Sequence, residues 1–63
     1  MPLTKEQLAK LDKMKISSQR KAGMKRHAKT KRTKKHNDEM LVQIAKGKSV
    51  LESHNIAYNK VGL

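Results

Sequence analysis

Between Lys13 and Asn37 the chain carries eleven lysines and arginines in 25 residues and no acidic side chain. No other feature limits the fold as much. Like charges spaced i,i+4 oppose an isolated helix. Within residues 19–36 the apolar side chains are Ala22, Met24 and Ala28 alone, too few to suggest a buried face. The stretch therefore reads as flexible when free and as helical or extended once its charges are neutralised. The imbalance extends to the whole chain, with sixteen Lys and Arg against five Asp and Glu and a net charge of +11. Ordinary soluble surfaces mix both signs. A surface of one sign attracts polyanions at long range.

The flanks carry the folding information. Thr4 and Gln7 have the spacing of a capping box, and Leu3 and Leu8 that of a hydrophobic staple. Leu8, Leu11 and Met14 then share a helical face. This predicts an N-terminal helix within 4–16, ended or followed by a new cap at Ser17-Ser18. After the basic segment, 17–36, Asn37 or Asp38 is expected to cap a second apolar stretch, 37–58. Met40, Leu41, Ile44 and Ala45 line one side of it, and Val42 widens the face. Gly47 either sits inside one long helix or ends the first of two. Ser49 and Glu52 form a further capping-box pair, with Val50, Leu51, Ile56 and Ala57 supplying apolar positions behind it. Leu41, Ile44 and Leu51 are the expected packing or dimer face, and 59–63 the frayed tail. The fold class is all-α: a capped N-terminal helix, a basic segment, and a C-terminal helix or helical hairpin. With 63 residues, no cysteine, no Phe or Trp and a single Tyr, the core is thin, and self-association or ordering on a partner is expected.

The expected function is non-catalytic contact with DNA or RNA phosphates. The candidate residues are Arg20, Lys21, Lys25, Arg26, Lys29, Lys31, Arg32, Lys34 and Lys35. Thirteen of the sixteen cations are lysine, a point charge suited to backbone contact and poor at bidentate reading of bases. A small DNA-binding regulatory or accessory factor fits this best. An RNA-bound, ribosome-associated structural protein is the first alternative. An interaction protein that occupies the channel of a nucleic-acid enzyme is the second. The corresponding location is cytoplasmic, at nucleoid or ribosome, or nuclear in a eukaryote, where Arg20-Lys21 and residues 32–35 also have a bipartite import-signal look. Membrane partners are not expected, since no apolar run approaches the length of a span and no Trp or Phe is present to insert.

Chemistry beyond binding is not expected. Asp12, Asp38, Glu39 and Glu52 form no recognisable catalytic pair. Gly47-Lys48-Ser49 matches the end of a phosphate-binding loop, but Val42 stands where that pattern needs its first glycine. His27, His36 and His54 show no i,i+4 pairing and no cysteine accompanies them, so the spacing predicts no metal site and no cofactor. His27 and His36 read as polar contacts within the basic run, and His54 as a residue on a helix surface.

Residues 41–63, with Ile44-Ala45-Lys46-Gly47-Lys48-Ser49-Val50-Leu51-Glu52 at their centre, resemble the first two helices of helix-turn-helix DNA-binding domains. In that family a further recognition helix enters the major groove, and nothing in 41–63 supplies it. The same pattern describes an ordinary helical hairpin with a capping box.

Overall fold

A computed structural model describes residues 2–30 and 32–63; Lys31, one of the expected phosphate contacts, lies outside the described residues. The described residues form four helices and no strand: α1 (Lys5–Lys13), α2 (Ser18–Ala28), α3 (Lys34–Ala45) and α4 (Val50–Val61). The protein is all-α. Its radius of gyration is 10.1 Å, against about 10.6 Å for a folded chain of this length. No helix among the described residues is long and apolar enough to cross a membrane.

Local chemistry places most of the boundaries. Thr4 Oγ1 accepts from Gln7 N–H at 3.2 Å while Thr4 N–H donates to Gln7 Oε1 at 2.9 Å, so the expected capping box closes. Ser17 caps α2 by accepting from Arg20 N–H, and Ser49 caps α4 by accepting from Glu52 N–H. Gly47 ends α3. Its φ of +97° suits glycine, and the Gly47 and Lys48 N–H groups donate back to the Ile44 and Gln43 carbonyls at 2.9 and 3.1 Å. This is a Schellman stop, so the C-terminal stretch is a hairpin. The first turn of α3 lies beside the last turn of α4, with His36 Nδ1 2.7 Å from the Gly62 carbonyl and Lys60 Nζ 3.5 Å from Glu39 Oε2.

α3 begins earlier than the sequence suggested. Its cap is Thr33, which accepts from His36 N–H, rather than Asn37 or Asp38. Asn37 is instead buried inside the helix. Asp38 faces α1, where the Gln7 amide donates to Asp38 Oδ1 at 2.6 Å and to the Lys34 carbonyl at 3.3 Å. Burial works against the Asp38 carboxylate, but the hydrogen bonds from Gln7 and Lys34 outweigh it and hold its pKa below the usual value.

The core is Leu11, Met24, Met40, Leu41, Ile44 and Ala57, with Leu3, Met14, Ile16 and Val50 packed against it. Leu41 and Ile44 occupy the expected face; Leu51 does not, being 70% exposed. Once Gly47 ends α3, the inner face of α4 is set by buried Ser53 and Ala57, four residues apart. Leu51 is turned about 200° from Ser53 and points outward. The frayed tail is also corrected: α4 runs to Val61, the Gly62 carbonyl meets His36, and Thr33 Oγ1 donates to the Leu63 carbonyl.

The basic segment is ordered from Ser18 to Ala28 because two small contributions suffice. Met24 and Ala28, four residues apart, are fully buried, and α2 lies against α4. Gly23 is the weak position in this helix. A Cβ there would meet Val50 Cγ2 at 3.6 Å, an ordinary contact. Gly23→Ala is therefore expected to stabilise the protein by about 0.5–1 kcal/mol, read as a higher urea midpoint. A lower midpoint would mean that α2 and α4 pack too closely at Val50 to admit a methyl group.

Candidate nucleic-acid interface and a histidine cluster

The expected phosphate contacts do not form one uniform row. On α2, Lys25, Arg26 and Lys29 are exposed outside the face that Met24 and Ala28 bury, Arg26 opposite it and Lys25 on its flank, while Arg20 and Lys21 are half-buried. Lys21 Nζ donates to the Asp12 carbonyl at 2.9 Å, and Lys25 lies 3.6 Å from the Asp12 carboxylate. Lys34 pairs with Asp38 at 3.1 Å, one turn along α3, and Lys35 is exposed beside it. These ion pairs are solvent-facing and weak, so phosphate can displace them. Arg32 departs most from the expectation. It is half-buried, and its Nε lies 3.3 Å from His27 Nε2. The helical row Lys21, Lys25, Lys29, Arg32 that the spacing allows is broken, because α2 ends at Ala28.

Arg32 reaches a feature that the sequence pattern does not reveal. His27 near the end of α2, His36 in the first turn of α3 and His54 on α4 point their rings at one another. His54 Nδ1 is 3.2 Å from His27 Nε2 and 3.3 Å from His36 Nε2, and the latter two are 3.4 Å apart. His36 is fully buried and the other two are half-buried. Thus His27 and His36 are not simply members of the basic run, and His54 is not a plain surface residue.

The hydrogen bonds restrict where protons can sit. A carbonyl only accepts, so His36 Nδ1 carries the hydrogen given to Gly62 O, and in the neutral ring Nε2 is a bare lone pair. A guanidinium only donates, so His27 Nε2 accepts from Arg32. Of the three facing nitrogens only His54 Nδ1 is left to donate, one proton between two lone pairs. Burial, then the positive charges that His54, Arg32 and His36 carry when protonated, push His27 down from 6.5 to about 4. Burial, then Arg32 and His36, also lower His54. Neutral imidazole nitrogens are donors to first-row transition metals.

A pH dependence follows for the protein in chelator. The folded-state pKa of His27 lies below its unfolded value, so between the two the unfolded chain binds more protons. The stability from the neutral ring is complete above pH 6.5, is lost as pH falls, and levels off near pH 4. Urea midpoints between pH 8 and pH 4 are expected to fall across that window, and His27→Ala to flatten the fall. A profile unchanged in the variant would remove His27 as its source.

No protein family, no curated protein and no solved structure matches the chain.

Proposed function

We propose that this chain is a non-catalytic nucleic-acid-binding protein that grips the phosphate backbone, most simply a small duplex-DNA-binding accessory or regulatory factor of the nucleoid or nucleus. The observation that supports this best is the outer side of α2. Lys25, Arg26 and Lys29 are exposed together there, within a segment that contains no acid from Lys13 to Asn37. Lysine and arginine that neutralise phosphates release condensed counterions, and this term dominates sequence-independent affinity. The folded α2 presents its cations already arranged, so less ordering entropy opposes binding than for a flexible tail.

The test is binding to duplex DNA, duplex RNA and single strands over a range of salt. With about five to eight phosphate contacts, log affinity on duplex DNA should fall against log salt with a slope of roughly −4 to −7. A slope near zero sinks the proposal. Tighter binding to duplex RNA than to duplex DNA keeps the phosphate contact and replaces the DNA assignment by a structural RNA partner.

A further inference from the structure

We propose that His27, His36 and His54 form a binding site for one zinc ion, which ties α2, α3 and α4 together at a single point. The three ring nitrogens are 3.2, 3.3 and 3.4 Å apart. Three ligands of a tetrahedral zinc at the usual bond length of about 2.0–2.1 Å stand about 3.3–3.4 Å from each other. The triangle therefore already has the size a tetrahedral ion demands. The group of three is also the one set among the described residues whose donor atoms converge in this way.

Proton accounting leads to the same place. His36 Nε2 and His27 Nε2 both present lone pairs to the centre, as their bonds to Gly62 and Arg32 require. One shared proton on His54 leaves the group short of donors. A cation accepting all three lone pairs removes the shortfall. The His36–Gly62 bond is the outer-shell contact that metal-bound imidazoles characteristically make: it fixes the tautomer and aims Nε2 at the ion. Zinc taken up here displaces the Arg32 Nε–H from His27, and His54 changes tautomer: its proton leaves Nδ1 and Nε2 takes one up from solvent, so that the ring binds as a neutral imidazole. Three protein ligands leave the fourth tetrahedral position to water or an incoming anion.

The chemistry suits this chain. It has no cysteine and a single aromatic ring, so neither disulfides nor aromatic packing reinforce its small core, and small domains of this kind commonly rely on a structural metal. The zinc site is independent of nucleic-acid binding; either can fail while the other stands.

Chelator-treated full-length protein is titrated with zinc chloride at pH 7.5 and followed by calorimetry, and by NMR of the three imidazole rings. About one ion per chain is expected, with all three rings responding together. Cobalt chloride should give the intense visible bands of a tetrahedral ion. At free zinc a hundred times Kd the melting temperature should rise by about 10–20 °C. His54→Ala and His27→Ala should each weaken zinc by about a hundred-fold or more, since loss of outer-shell partners alone costs about 10–100-fold. No saturable one-to-one binding by the wild type overturns the site. So does a wild-type titration in which any of the three rings fails to respond, which needs no variant to fold. Unaltered zinc affinity in either alanine variant overturns it as well.

Discussion

Ile44→Asp is expected to abolish the α3–α4 hairpin. Ile44 is fully buried and belongs to the one cluster that joins all four helices, with Leu11, Met24, Met40, Leu41 and Ala57. The substitution removes an aliphatic side chain, at about 2–5 kcal/mol for comparable truncations, and places a carboxylate in an apolar cluster. A domain of this size has about 3–5 kcal/mol of core-derived stability to lose. Loss of most helical circular dichroism at 25 °C in chelator is expected. Leu51→Asp is the matching control. At 70% exposure it should change stability by no more than about 0.5 kcal/mol, although sequence periodicity places both residues on one face. Retained helicity in Ile44→Asp, or collapse in Leu51→Asp, would show the hairpin to be packed differently. The unfolded Ile44→Asp chain should still bind polyanion, more weakly, since its charges remain.

Removing four exposed cations together has the second large effect. In Lys25→Ala, Arg26→Ala, Lys29→Ala, Lys35→Ala the salt-dependence slope on duplex DNA should flatten by about 3–4 units, near 0.9 for each phosphate no longer neutralised. Affinity should fall alike on unrelated sequences, because lysine bound to phosphate carries no base information. The fold should survive. All four residues are exposed, and the one acidic partner left behind is Asp12, from a solvent-facing pair worth about 0–1 kcal/mol. Circular dichroism and the urea midpoint separate the two effects. An unchanged slope with an intact fold would remove these four residues from the interface.

What could be read from the sequence was local. Thr4 with Gln7, Ser17, Gly47 and Ser49 each act within four residues of themselves; Thr4, Gln7 and Ser49 do what their spacing implied, whereas Ser17 as a cap and Gly47 as a stop are each one of two alternatives that the spacing left open. Leu41 and Ile44 were legible because both lie within one helix; Leu51 was misplaced because the turn at Gly47 resets the phase. Met24 and Ala28 looked too sparse to bury a helix. They suffice because α4 offers small Ser53 and Ala57 on its inner face, a property of the partner helix and invisible in the basic segment. The cap at Thr33 was overlooked because the acids at Asp38 and Glu39 look like a helix start, whereas Asp38 is used to hold α1.

The histidines were the least legible of all. Their separations of nine and eighteen residues have no meaning on any single helix. They converge only after the hairpin has closed and α2 has docked. The available signal was indirect: a chain without cysteine and nearly without aromatics still has three histidines, and nothing in their spacing shows that they meet.

Gln7 carries a consequence for how the molecule comes apart. One amide group closes the cap of α1 through its oxygen and fastens α1 to α3 through its nitrogen. One half of the capping box and the polar attachment of α1, beside the packing of Leu11, thus share a single rotamer. A detached but intact α1 would bear the full cost of holding that rotamer without the bonds to Lys34 and Asp38. A nine-residue helix is too short to persist in water unaided. The N-terminal segment is therefore expected to be helical and attached, or neither, so that its amides exchange as one cooperative unit rather than fraying from the end.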